Sequence, residues 1–106
     1  MSGSPGEMGN LLAQAQKMQR AMEEARAELD EVQVEGTAGG GVVRVQLNGQ
    51  GSVQSVSISP EAADAGREAL EELVLAALRD GEAKANRLRT ERMSKVTGGL
   101  NLPGMM

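Results

Sequence analysis

The sequence predicts an α+β fold in the order helix, three strands, helix. Three observations carry this: an apolar seam of helical period over the first thirty residues, three short alternating runs in the middle, and a second apolar stripe from Leu70 to Leu88. The strand runs are too short and too close together for crossover helices, so an antiparallel sheet follows.

The first seam runs Leu11, Ala15, Met18, Met22, Ala25, Leu29, Val32, in steps of four and three. That is a heptad pattern, which places all seven on one face of a helix over Met8–Val32. Asn10 is a candidate cap at its start. Such a helix is roughly 33–37 Å long, longer than the approximately 26 Å span of a compact domain of this size. Either it projects or a second chain covers it. Met18 and Met22 read as packing residues of this seam, in the core or between subunits.

Val32 and Val34 open the first strand, and Val43, Val45 and Leu47 alternate with Arg44 and Gln46 in the second. Asn48–Gly49 reads as a type I′ hairpin turn, which needs positive φ at both residues. Val56 and Ile58 alternate with Ser55 and Ser57 in the third strand. The apolar face requires a helix upon it, and the sheet edges invite another subunit. Gly39–Gly40–Gly41 lacks the Lys-Ser/Thr of a phosphate-binding loop and reads as a turn.

Ser59 before Pro60 is a helix entry, and Gly66 separates a first turn from a long helix ending at Gly98–Gly99. Its stripe is Leu70, Val74, Ala77, Leu78, Gly81, Ala85 and Leu88. Gly81 costs about 1 kcal/mol in mid-helix, and its place in the stripe points to close approach of another backbone, with a hinge as the alternative. The chain therefore reads as one domain over 1–106, with 1–7 and 98–106 expected to be flexible.

Composition narrows the chemistry. The chain has no His, Cys, Phe, Tyr or Trp. Imidazole bases, thiol nucleophiles, soft metal ligands and aromatic stacking platforms are thereby excluded. Glu23–Glu24 and Glu71–Glu72 are adjacent on helices and do not face each other. No enzyme, cofactor, metal or small-molecule substrate is expected. No apolar run is long enough to span a membrane, the start lacks a signal pattern, and the absence of cysteine suits a cytoplasmic protein.

The formal charge is −4, but it is uneven. Residues 84–106 carry five basic groups against one acid, giving +4, whereas residues 1–83 carry six against 14, giving −8. Lys84, Arg87 and Lys95 fall within one quadrant of the helix beside the apolar stripe. Arg92 falls inside the continuation of that stripe, which implies a helix that has left the core for water. Basic end-turns also arise from the helix dipole alone. Lys17 and Arg20 lie opposite the first seam, and Arg44 is on the polar sheet face.

The chain resembles the YbaB/EbfC family of bacterial nucleoid-associated proteins. The resemblance rests on Gly9–Leu11 with Gln14–Gln19, Gly36 through Asn48–Gly49, Ile58–Pro60, Leu70–Val74, and the closing Met93–Gly104. It covers nearly the whole chain in order and spacing. It implies an α-β-β-β-α protomer, a homodimer joined through its strands with tweezer-like projecting helices, and DNA binding in the cytoplasm and nucleoid. Nucleoid organisation, gene regulation and DNA protection are the associated roles. The family often has an aromatic near Leu78 and a helix former near Gly81, which implies looser packing in this chain.

Two readings follow. In the first, a homodimer grips double-stranded DNA through phosphates with little base readout. Lys84, Arg87, Arg89, Arg92 and Lys95 would be the principal contacts, with Lys17 and Arg20 secondary. Leu11, Ala15, Met18, Met22, Ala25, Leu29, Val43, Val45 and Leu47 would form core and dimer packing. In the second, the helices clasp other polypeptides, as a holdase does, through Met and Leu.

Overall fold

A computed structural model describes residues 5–99. Residues 1–4 and 100–106, which make up most of the termini expected to be flexible, lie outside the described residues. The elements are α1 (Pro5–Glu31), β1 (Gln33–Ala38), β2 (Val43–Asn48), β3 (Val53–Ile58), α2 (Pro60–Ala63) and α3 (Arg67–Gly99). The architecture is the α-β-β-β-α expected, with α2 a single extra turn. The three strands lie in the order β1-β2-β3, and both pairings are antiparallel.

α1 begins earlier than its seam suggested, and Asn10 lies inside it rather than at its cap. Pro5 suits a first helical turn, where its missing N–H is no loss, and the glycines that follow weaken a helix without ending it. At the other helix entry the sequence rule holds: Ser59 Oγ accepts the Ala62 N–H at 3.2 Å, with Pro60 behind it. Gly66 has φ +101 and starts α3 afresh, its carbonyl accepting the Leu70 N–H at 2.9 Å.

α3 covers the sheet face built by Val34, Val43, Val45 and Leu47. All seven stripe positions of α3 meet that face or its rim: Ala77, Gly81 and Ala85 are buried, and Leu70, Val74, Leu78 and Leu88 pack around them. A core without aromatic rings has little volume to fill, so the helix must sit low on the strands. It does so where β1 and α3 cross at Gly36 and Gly81. A Cβ on Gly81 would lie 3.3 Å from Gly36 Cα, and one on Gly36 would lie 2.7 Å from Gly81 Cα. The packing at Gly81 is therefore close, not loose.

The β2–β3 connection differs from the expected type I′ turn. Gly49 is not among the glycines of positive φ, whereas Gly51 has φ +89. Asn48 and Ser52 close a longer loop by an N–H donated from Asn48 to Ser52 O at 3.0 Å. Asn48 Oδ1 also accepts from the amides of Gln50 and Ser52. Gly49 is needed for space: its amide donates to Leu29 O at 2.8 Å, and a Cβ would meet that carbonyl at 2.7 Å. The Gly39–Gly41 cluster is a turn of three left-handed residues, as its lack of a phosphate-loop pattern implied.

β3 is only partly covered. Its pairing shifts between Gln46 and Leu47, so Val53 stands opposite Leu47 while Val56 and Ile58 stand opposite Val45 and Val43. Opposed residues share a face. The bulge thus brings Val53 into phase with the other two on the α3 side. Yet the three remain 47, 47 and 43% exposed, because α3 lies over β1 and β2.

α1 and α3 pair antiparallel beside the sheet, and the described residues extend 74 × 24 × 16 Å. Ala25 and Leu29 of the α1 seam are buried and Met18 and Met22 half-buried. Farther out, Met8, Leu11 and Leu12 are 63, 67 and 61% exposed, and Ala15 is exposed too. No helix among the described residues is long and apolar enough to cross a membrane.

Candidate nucleic-acid interface

α1 and α3, which form the arm, carry all seven cations expected from the sequence to contact DNA, and Arg44 lies apart from them on β2. α1 runs toward the sheet and α3 away from it. Arg92 Nη1 meets Glu28 Oε2 at 3.0 Å, which sets the two helices level at that point. From this anchor Lys84 lies eight residues toward the sheet, about 12 Å at 1.5 Å per residue. Lys17 lies 11 residues outward, about 16 Å. The cations are thus strung along the arm over nearly 30 Å rather than gathered in one pocket.

Three of the seven are held by the protein itself. Lys84 Nζ is 3.0 Å from Asp80 Oδ2 and donates to the Glu35 carbonyl at 3.1 Å. Arg89 donates from Nη1 to the Gln50 carbonyl and from Nη2 to Asn86 Oδ1, both at 2.9 Å, fastening the β2–β3 loop to α3. Arg92 does not stand free in water as its place in the stripe suggested. It bridges to α1, and only its 32% exposed side chain reaches solvent.

The other four have no ion pair or hydrogen bond among the described residues. Arg87 and Lys95 project from α3, Lys17 and Arg20 from α1, and all four are exposed. Arg26 on α1 and Arg79 on α3 are likewise exposed and unpaired, and sequence reasoning passed over both. Their signal was absent because Arg26 sits among acids and Arg79 falls before the basic segment. Arg44 is engaged on the polar sheet face, 3.5 Å from Glu35 Oε1, with its Nε donating to the Gly41 carbonyl at 3.1 Å.

Near the root of the arm, Asp80 Oδ2 accepts the Thr37 N–H at 2.9 Å. That hydrogen bond first, then the bond from Lys84 and the charges of Lys84 and Arg87, hold the Asp80 carboxyl below its ordinary range. Farther along α3 an open groove of about 570 Å³ is lined by Arg89, Thr90, Met93, Ser94, Thr97 and Gly98. Thr97 Oγ1 is committed to the Met93 carbonyl at 3.2 Å, which leaves the Thr90 and Ser94 hydroxyls as free hydrogen-bonding groups.

Comparison with known proteins places this arrangement. The model of the YbaB/EbfC DNA-binding family matches residues 5–100. A nucleoid-associated protein of Alkaliphilus metalliredigens is 42% identical, the match covering 99% of this chain and 92% of that protein. One of Granulibacter bethesdensis is 46% identical over 93% of this chain and 94% of its own. The crystal structure of an uncharacterized protein from Helicobacter pylori superposes with a TM-score of 0.75 at 22% identity, over 92% of this chain and all of that one. That likeness is one of fold.

Proposed function

Since the chain belongs to the YbaB/EbfC DNA-binding family, we propose that it is a nucleoid-associated protein that binds double-stranded DNA as a homodimer. It acts in the cytoplasm on the nucleoid, where it alters DNA conformation and contributes to nucleoid organisation, gene regulation and DNA protection. It carries out no catalysis.

The observation that carries this reading is the row of exposed cations on the arm, Lys17, Arg20, Arg87 and Lys95, none of which is held in an ion pair or hydrogen bond among the described residues. Phosphate contact requires such free charges, because a paired cation must first give up its partner. Thr90 and Ser94 add neutral donors suited to phosphate oxygens. Lys84, Arg89 and Arg92 contribute by exchanging partners or by holding the arm in shape. Among the described residues no pair of helices forms a helix-turn-helix, which supports backbone contact with little sequence preference. The strongly acidic remainder of the chain repels DNA and confines it to the arm.

The homodimer is supported by the uncovered apolar row of β3 and its unpaired strand edge. Two arms per dimer then offer enough cations for useful affinity. A second reading, a clasp for other polypeptides, is favoured by the exposed Met8, Leu11 and Leu12. Titration with duplex DNA at two salt concentrations separates them. Phosphate binding weakens steeply with salt, with a log–log slope of roughly −4 to −7 for a dimer neutralising about four to eight phosphates. Affinity unchanged between the two salts would reject the DNA reading and leave the clasp.

A further inference from the structure

The two edges of the sheet are finished differently. β1 forms one edge and β3 the other. On β1 the Thr37 N–H donates to Asp80 Oδ2 at 2.9 Å, and the Glu35 carbonyl accepts from Lys84 Nζ at 3.1 Å. Asp80 and Lys84, one helical turn apart, are themselves paired at 3.0 Å. One ion pair thereby occupies a donor and an acceptor that a neighbouring strand would use. Nothing comparable protects β3: among the described residues, no side chain hydrogen-bonds to its backbone groups.

An edge strand with free backbone groups is a template for another strand, and charged side chains are a common means of blocking it. We propose that the β1 edge is a latent docking site for β3 of a second copy of this chain, held shut by the Asp80–Lys84 pair. The occupant follows from fit. Both strands are six residues long, and β3 carries the unprotected edge. Its Val53, Val56 and Ile58 lie on the α3 side of the sheet but uncovered. α3 crosses directly over β1 at Gly36, so a β3 added there brings its apolar row to the flank of that helix.

The consequence is a choice of assembly. A contact between two β3 edges about a two-fold axis uses the same patch twice and stops at a dimer. A contact of β1 with β3 of the next copy is head-to-tail and repeats without closing unless its rotation happens to form a ring. The Asp80–Lys84 pair therefore limits the protein to the closed assembly. This inference rests on the homodimer proposed above.

The test uses the full chain as Asp80→Ala/Lys84→Ala and as wild type, with mass measured by light scattering or sedimentation over a concentration series. The wild type should hold one mass, and the variant's average mass should climb with concentration. Adding Val56→Pro, which removes an N–H from the free edge of β3, should stop that climb. A folded double variant that keeps the wild-type mass at every concentration would overturn the proposal. Should the double variant fail to fold, Asp80→Leu with Lys84→Met keeps the side-chain bulk, frees both the Thr37 N–H and the Glu35 carbonyl, and tests the same edge. Its mass should also climb, and an unchanged mass would sink the idea equally. The two ideas fail separately: a wild-type monomer refutes the homodimer, whereas a wild-type dimer with an unmoved variant refutes only the closed edge.

Discussion

Gly36 on β1 and Gly81 on α3 meet backbone to backbone, with no side chain between strand and helix. This contact sets the height of α3 over the sheet. The chain has no aromatic ring to fill a wider gap, and Ala77 and Ala85, one turn to either side of Gly81, are also small and buried.

The two glycines should not tolerate alanine equally. A methyl at Gly36 would overlap the Ala77 carbonyl and crowd Gly81 N and Cα, all backbone. Gly36→Ala should therefore lose about 1–3 kcal/mol, the usual cost of overpacking, or more. A methyl at Gly81 would chiefly meet Leu47 Cδ1, the end of a flexible side chain. It also recovers about 1 kcal/mol of helix propensity, so Gly81→Ala should cost clearly less. Thermal or urea unfolding followed by circular dichroism gives both values. A smaller loss for Gly36→Ala than for Gly81→Ala would mean that α3 lifts from β1 without penalty.

The fold was legible wherever one residue's class decided its place. The α3 stripe from Leu70 to Leu88 and the Ser59–Pro60 entry depend on period and local capping, and both stand as read. Gly81 was read correctly because a mid-helix glycine in an apolar stripe has few explanations. The bulge hid Val53, since it breaks the alternation that reveals a strand. Asn48–Gly49 misled because Gly49 serves the Leu29 carbonyl, a contact 20 residues away in sequence. The candidate interface was legible only as charge. Whether a cation is free or already held by Asp80, Gln50 or Glu28 depends on which elements pack together, and composition carries no trace of that.

Leu29 is a sharper probe of the arm than its heptad position implied. It is fully buried within the protomer, against Gly49. Leu29→Ala should cost about 2–5 kcal/mol, the range for a buried leucine truncated beside a cavity. Leu12→Ala, on the exposed outer part of α1, should stay within about 0.5 kcal/mol. Comparable losses at both positions would mean that the outer half of α1 is covered in solution, which chemical denaturation at low protein concentration would then resolve.

Acid should loosen the root of the arm through Asp80. The Thr37 N–H and Lys84 favour the ionised carboxylate in the folded state, so its pKa lies below the ordinary 3.8. A lowered folded pKa means that the unfolded chain takes up the proton first as pH falls. The stabilisation is therefore complete above the ordinary carboxyl range and is lost progressively below about pH 4 as the folded pKa is approached. Asp80→Asn should be less stable than wild type at pH 7, and the gap should narrow toward pH 3. Stability curves that stay parallel across that interval would remove Asp80 from the acid response.

Binding to DNA should divide the cations by whether they are already engaged. Arg87→Glu with Lys95→Glu reverses two exposed groups on α3 that make no ion pair, so helicity should be kept, with a small drop in melting temperature because Arg87 no longer favours the Asp80 carboxylate. Duplex affinity should fall by at least tenfold, and the salt slope should shrink by roughly one per phosphate lost from each arm. Lys17→Glu with Arg20→Glu should weaken binding less, because the two lie 11 and eight residues outward of the Arg92–Glu28 contact, away from the cations grouped on α3. Arg89→Ala should act differently. It frees the Gln50 carbonyl and unfastens the β2–β3 loop, so it should lower stability and affinity together. Arg92→Ala should likewise loosen α1 from α3, with a modest loss because its bond to Glu28 is partly in water. Mobility-shift titrations beside melts of the same variants distinguish the two groups. If Arg87→Glu with Lys95→Glu bound duplex DNA as tightly as wild type, the contacts would have to move to Lys17 and Arg20 on α1 or, should reversing those also leave affinity unchanged, to Arg26, Arg79 or Arg44. The acidic surroundings of Arg26 and the pairing of Arg44 with Glu35 make Arg79 the next residue to reverse.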